Sequence, residues 1–210
     1  MRKYFSLFYK LFIVSLGLVG ILLYALNSTR FSGNWHYFGI ISNVICFLYL
    51  LLLIILELGN VNKNNIFFKF KFYILVFLIM NMLVYYGWFV PNDYIIPGII
   101  TNSLCDAVIH AYIPVLVLFD YLIFDKKGQF DIKSTFYVWI IPICYFIYIT
   151  IYTYFGGLFN TDKFPYYFMN YQQLGLFKVI LCMILILILF YIVGLFITLF
   201  DKIMAKRVIK

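Results

Sequence analysis

The chain has 210 residues, of which 66% are hydrophobic and only 11% charged, and its mean hydropathy is +1.01. The core of a soluble domain of this length needs far less apolar material, so the sequence predicts an integral membrane protein. The net charge of +8 does not indicate a nucleic-acid partner, because most positive residues lie in short segments that flank apolar runs.

Six apolar segments are long enough to cross the ~30 Å hydrocarbon core as helices. They cover residues about 11–26, 37–58, 72–90, 99–124, 136–155 and 174–200. The connections between them are short, so we expect consecutive helices to be antiparallel neighbours. The sequence therefore predicts an all-α bundle of six transmembrane helices that forms a single domain, residues 1–210.

Lysine and arginine residues predict the orientation of this bundle. Thirteen of the 16 lie before the first segment, after the second, the fourth or the sixth, and only Arg30, Lys163 and Lys178 lie on the other side. The positive-inside rule then places both termini in the cytoplasm, and we expect a multi-pass protein of the plasma membrane. Nothing after Leu26 resembles a cleavage site, so the first helix is expected to be retained. Lys10 is expected to extend toward the inner membrane surface.

The fourth segment is the most informative, because CDAVIHAYIPVLVLFDYLIF at 105–124 carries ionisable groups at membrane depth. At 3.6 residues per turn, Asp106, His110 and Asp120 share an arc of roughly 80°. Exposing this face to lipid would cost on the order of 3 kcal/mol per charge, so we expect it to face the inside of the bundle. His110 falls near the membrane midplane, and Asp120 is expected to form an ion pair or a helix contact near the inner surface.

Two polar residues of the second segment, Ser42 and Asn43, are expected at the depth of Asp106. Imidazole is suited to general-base catalysis near neutral pH, and a hydroxyl becomes a nucleophile when such a base takes its proton. We therefore predict an ester-cleaving site in which His110 and Ser42 are catalytic, Asp106 fixes the imidazole tautomer and Asn43 donates to an oxyanion. The alternative is that these groups only hold helices together, at about 0.6 kcal/mol per contact.

Neither a cofactor nor a metal is predicted. The two histidines lie on different helices without a cluster of Cys or Glu, and the four cysteines lie within apolar segments at no metal or redox spacing. Pro142 is expected to kink the fifth helix. The connection at 156–173 is rich in aromatic and amide residues, and it is expected either to cap the outer end of the bundle or to form an interfacial aromatic belt.

Three segments resemble a known family, the androgen-induced-gene type of six-transmembrane protein and its prokaryotic branch, the Pr-six-Pr membrane proteins. GNWHYFGIISN at 33–43 is similar to that family's approach to its second helix. IHAYIPVLVLFDYLIFDKKG at 109–128 resembles its pattern of His, Pro and Asp in the fourth helix. WIIPICYFIYITIYTYFGG followed by KFPYYFMN resembles its fifth-helix proline and the loop after that helix.

The resemblance implies a six-helix bundle and, from the animal members, hydrolysis of fatty acid esters of hydroxy fatty acids by a threonine and a histidine. The histidine corresponds to His110, but the threonine corresponds to Gly39, which has no hydroxyl. Either Ser42, one turn further on the same face, replaces it, or the site has lost its nucleophile.

Three functional hypotheses follow for a protein embedded among membrane lipids. It is a hydrolase of a lipid-like ester, a non-catalytic protein that binds a lipid-like ligand or a partner, or a small proton-linked transporter that uses Asp106, His110 and Asp120. The confinement of these ionisable groups to one segment and the absence of an internal repeat argue against the transporter.

Overall fold

A computed structural model describes residues 1–26, 35–61, 65–89, 104–159 and 162–208. In these ranges six helices are long and apolar enough to cross a membrane, which confirms the predicted all-α bundle of a multi-pass membrane protein. We number them as spans one to six: Arg2–Leu23, Phe38–Leu58, Ile66–Gly87, Leu104–Phe124, Ile132–Tyr154 and Leu176–Arg207.

The helices that form these spans are not all continuous. Spans one and two are the single helices Arg2–Leu26 and Phe38–Leu58. Span three is the helix Asn65–Val84 followed by a π-helical turn, Tyr85–Phe89. Span four consists of Leu104–Ala107, a π-helical turn at Val108–Tyr112, and Ile113–Phe124. Span five joins Ile132–Phe136 to Ile140–Tyr154 through a 3₁₀ turn, and a short helix, Tyr171–Leu174, precedes the long helix Leu176–Val208.

The break in span five lies at Tyr137–Trp139, one turn before the predicted kink at Pro142. Proline has no N–H to donate to the carbonyl four residues earlier, which here is that of Val138. The chain forms a 3₁₀ turn, rather than continuous α-helix, around that carbonyl.

The described terminal segments lie at one end of the bundle, which we call the inner end. Arg2 donates to the carbonyl of Ile123, and Asp201 accepts from the backbone N–H of Gly128. Over the 18-residue apolar window of each span, spans two and three are the most enclosed, with 56% and 50% of the window buried, followed by spans one and four with 44% and 39%. Spans one to four therefore form the centre of the bundle, and span six, at 17%, is the least enclosed.

Spans one and three begin well before the predicted residues 11 and 72, at Arg2 and Ile66. The predictions began the helices too late because Lys10 and Lys71 interrupt the apolar runs. Both lysines are nevertheless buried, with 0% and 1% of their surface exposed. The prediction that Lys10 reaches the inner membrane surface is therefore wrong.

The connection after span five packs over the outer end of span two. Phe159 and Met169 are buried, and the hydroxyl of Tyr166 accepts the backbone N–H of Phe38 at 3.1 Å. Span two has no side-chain cap from Tyr37, so Tyr166 satisfies one of the N–H groups that every helix start leaves open. This arrangement agrees with the predicted cap; residues 160 and 161 lie outside the described part of the chain.

Candidate functional site

His110 lies against spans two and three. Its imidazole stacks on the ring of Tyr85, with the centroids 3.9 Å apart and the planes inclined by 2°. Asp106, one turn outward on the same helix, is 3% exposed. These contacts confirm that this face of span four is turned into the bundle.

Gly39 lets the polar side chains approach the backbone of span two. A Cβ built on Gly39 would lie 2.8 Å from Oδ1 of Asn81 and 2.9 Å from Cε1 of His110. Real Cβ atoms essentially never make contacts this short, so any other residue at position 39 would displace one of these side chains. The absence of a side chain thus allows Asn81 and His110 to lie this close to the backbone of span two.

Three buried polar atoms around Gly39 have no hydrogen-bond partner among the described residues: Oδ1 of Asn43, Nδ2 of Asn81 and Nδ1 of His110. Asn43 and Asn81 are 0% and 8% exposed. Leaving such a group unsatisfied costs about 1–3 kcal/mol, and buried polar groups are normally paired. We call Gly39, Asn43, Asn81 and His110 the outer tier.

The backbone of span four explains why Asn43 is held in the outer tier. The N–H of Ile113 donates to the carbonyl of Val108 in the π-helical turn, and Pro114 has no N–H. The carbonyl of Ile109 is thereby left without its usual donor, and Nδ2 of Asn43 donates to it at 3.3 Å. The same Nδ2 donates to the carbonyl of Gly39 at 2.7 Å.

The other predicted site residues lie close by but in different roles. The hydroxyl of Ser42 donates to the carbonyl of Gly39 at 3.0 Å, one turn back in its own helix. Nδ1 of His110 has no hydrogen-bond partner, so this atom is bonded neither to the hydroxyl of Ser42 nor to the carboxylate of Asp106. Asn43 is level with Ile109 rather than with Asp106, about one turn deeper than predicted. The catalytic assignment of Ser42 and His110 stays a prediction.

A second polar cluster fills the bundle near its inner end. Nζ of Lys10 lies 3.2 Å from Oε1 of Glu57 and 3.3 Å from Oδ1 of Asp120. Nζ of Lys71 bonds to Oδ2 of Asp120 and lies 3.3 Å from Oδ2 of Asp125. Asp120 is thus shared by lysines from spans one and three. We call these five residues the inner tier.

The inner tier bears on two interpretations made from the sequence. Asp120 forms the expected ion pairs near the inner end of the bundle, with Lys10 and Lys71, and its side chain is 0% exposed. The ionisable groups are also not confined to span four, because spans one, two and three contribute Lys10, Glu57 and Lys71. Ionisable groups from four spans therefore meet in the bundle, and their distribution does not disfavour a transporter.

A separate carboxylate, Asp201 of span six, fixes the connection that follows span four. It is fully buried and accepts the N–H groups of Gly128 and Phe130 at 2.8 and 2.9 Å. The hydroxyl of Tyr121 donates to the same carboxylate at 2.5 Å. These bonds tie the inner ends of spans four and six together.

Sequence reasoning missed Asn81, Tyr85 and Lys71. Asn81 carried a signal, since it is the only amide within the apolar run of span three and a polar group there needs a partner. Lys71 also carried a signal, because a lysine in KFKF can equally be the seventh residue of a longer helix that begins at Asn65. Nothing in the sequence singled out Tyr85, because it is one of 20 tyrosines in the chain.

Comparison with protein-family models, curated proteins and solved structures finds no match to this chain.

Proposed function

We propose that the outer tier binds the polar group of a lipid-like ligand within the plasma membrane. The observation that carries this proposal is the set of three unpartnered buried atoms, on Asn43, Asn81 and His110. A ligand that reaches them from the membrane needs an apolar body, and a ligand that satisfies them needs both donors and acceptors.

The chemistry of the three atoms narrows the ligand class. Nδ2 of Asn81 donates, and Oδ1 of Asn43 accepts, because Nδ2 of that amide already donates to two carbonyls. Nδ1 of His110 does either, according to its tautomer. An acyl ester that also carries a hydroxyl matches this set, with its carbonyl accepting from Asn81 and its hydroxyl donating to Asn43. Monoacylglycerols have these groups.

A photoreactive, alkyne-tagged monoacylglycerol tests the proposal. We expect ultraviolet light to cross-link it to the purified protein in vesicles, and unlabelled monoacylglycerol to compete. Asn81→Leu should lower labelling by about tenfold, since a lost hydrogen bond plus an unpaired ligand group is worth about 1–3 kcal/mol. Thr198→Val, which removes a buried hydroxyl that pairs with Thr135 of span five, is the matched control and should leave labelling unchanged. Equal labelling of Asn81→Leu and wild type would refute the site.

Ester hydrolysis is the second candidate. It is favoured by one observation: the ideal Cβ position of Gly39 is 2.9 Å from His110, so the two positions that the resemblance pairs as nucleophile and base are neighbours. In this proposal Ser42 supplies the hydroxyl after leaving the carbonyl of Gly39, and His110 takes its proton. The crowding at Gly39 and the bond made by Ser42 favour binding over hydrolysis.

A serine-directed fluorophosphonate and a fatty-acid release assay distinguish the two candidates. If the protein is a hydrolase, Ser42→Ala and His110→Ala should each abolish turnover, and the double variant should be no worse than either, because residues that act as a unit are not additive. Turnover that survives Ser42→Ala would exclude this nucleophile. Cross-linking without turnover would assign the protein to the binding class.

A further inference from the structure

The two tiers have the same spacing on two helices. In span three Asn81 and Lys71 are ten residues apart, and in span four so are His110 and Asp120. Ten residues of helix correspond to about 15 Å. Between the tiers, both helices bury apolar side chains that are at most 2% exposed, among them Ile74, Leu75, Leu78, Ile113 and Val117. The centre of the bundle is therefore a dry layer between two polar layers.

The tiers differ in how their polar groups are satisfied. The outer tier has amide and imidazole atoms with no partner, whereas in the inner tier Asp120 forms ion pairs with two lysines. Oδ1 of Asp120 and Oδ2 of Asp125 also lack a hydrogen bond, but each lies 3.3 Å from a lysine Nζ. A buried ion pair is weak evidence for stability, because well-packed apolar residues usually serve as well. Ionisable groups inside a membrane bundle, by contrast, typically mark the path of an ion or substrate.

We propose that the inner tier is the gate of a passage through the bundle, and that the polar group of the ligand moves from the outer tier past this gate to the inner side. This inference rests on the proposed function for its ligand, although the gate itself is tested without one. Asp120 keeps the gate closed by holding Lys10 and Lys71 between the helices. The gate opens when these ion pairs separate and the long lysine side chains turn toward the inner surface, where a charged end is readily solvated.

The chain contains a natural reporter for this event. Cys46 of span two is a free, fully buried thiol, one turn inward from Asn43 and therefore within the apolar layer. Opening the gate admits water to this layer from the inner side. Replacing Cys105, Cys144 and Cys182 with Ala leaves Cys46 as the single thiol.

The first experiment measures the labelling of Cys46 by a charged, membrane-impermeant methanethiosulfonate applied to the inner face in inside-out vesicles. Asp120→Asn should speed labelling by about tenfold or more, because it removes the charge shared by both lysines. Lys10→Gln, which breaks one pair only, should give a smaller increase and serves if Asp120→Asn does not fold. Thr198→Val, which changes a buried polar residue outside the inner tier, should have no effect. If Asp120→Asn and Lys10→Gln both fold and Cys46 is labelled no faster than with the inner tier intact, the proposal is overturned.

The second experiment connects the gate to the ligand. Monoacylglycerol should speed the labelling of Cys46 in the wild type, and Asn81→Leu should remove this increase while leaving the Asp120→Asn effect intact. Translocation of an NBD-labelled monoacylglycerol, followed by dithionite quenching, should be faster in protein-containing than in protein-free vesicles. If cross-linking at the outer tier is normal but translocation is not faster, the passage is refuted and the binding function stands.

Discussion

Gly39 determines the shape of the outer tier by having no side chain. Asn81 and His110 occupy the space in which a Cβ would lie, and the carbonyl of Gly39 accepts from both Ser42 and Asn43. A single residue thus brings together groups from three helices. Because this residue is glycine, the position also lacks the hydroxyl that the family resemblance would require there.

Gly39→Ala is expected to destabilise the protein by about 1–3 kcal/mol, the usual cost of overpacking a closely packed site. Thermal unfolding in detergent measures the effect. Asn81→Ala removes the atom 2.8 Å from the new methyl group, so the double variant should be more stable than the sum of the single changes implies.

Gly87→Ala is the matched control, since Gly87 also lies near the outer end of a span but a Cβ there meets nothing within 4 Å. We expect a change within about 0.5 kcal/mol for this exposed position. Equal effects of the two substitutions would show that the close approach at Gly39 carries no energetic consequence.

At the scale of the helix, the π-helical turn of span four and Pro114 act together. In this turn the N–H of Ile113 donates to the carbonyl of Val108, and Pro114 has no N–H. The carbonyl of Ile109 therefore accepts a hydrogen bond from Nδ2 of Asn43 instead. Span three also ends in a π-helical turn, and its first residue, Tyr85, stacks on His110. Such turns occur frequently at functional sites, and here two of them meet at one histidine.

A double-mutant cycle tests this link. Asn43→Leu should destabilise the protein by about 1–3 kcal/mol, because it leaves the buried carbonyl of Ile109 without a donor. Pro114→Ala restores an N–H that can reach that carbonyl within the π-helical turn. The cost of Asn43→Leu should therefore be smaller in the Pro114→Ala background.

Chemical denaturation of the four proteins gives the coupling free energy. Strictly additive effects would mean that Asn43 does not compensate for the proline. Asn43→Asp, which keeps an oxygen but loses the donating Nδ2, should resemble Asn43→Leu in this cycle.

For the whole molecule, hydropathy predicted the six spans because the membrane requires long apolar helices, and that requirement is visible residue by residue. The cost of exposing charge also predicted the inward face of Asp106 and His110. What hydropathy could not predict is which polar residues meet. Lys10 and Lys71 look like flanking charges until Asp120 is placed between them, and that pairing depends on the packing of three helices.

The local geometry of the outer tier could not be predicted from the sequence either. A uniform pitch of 3.6 residues per turn placed Ser42 and Asn43 level with Asp106, whereas the structure has Asn43 bonded to the carbonyl of Ile109. The π-helical turn alters the register of span four, and nothing in VIHAY distinguishes it from an ordinary helical turn. The unpartnered amide of Asn81 depends in the same way on the neighbouring helices.

The orientation of the molecule gives the last prediction. Thirteen of 16 positive residues belong to segments on the side of the termini, although Lys10 and Lys71 are buried in ion pairs and so contribute less to that count. Eleven remain against three, and we still expect the inner end to face the cytoplasm. In intact cells, an impermeant maleimide should label a cysteine introduced at Asn160, which lies outside the described residues, and should not label one at Gly128 of the inner connection. The reverse pattern would invert the bundle, so that the unpartnered outer tier would lie in the cytoplasmic half of the membrane and the lysine gate would face outward.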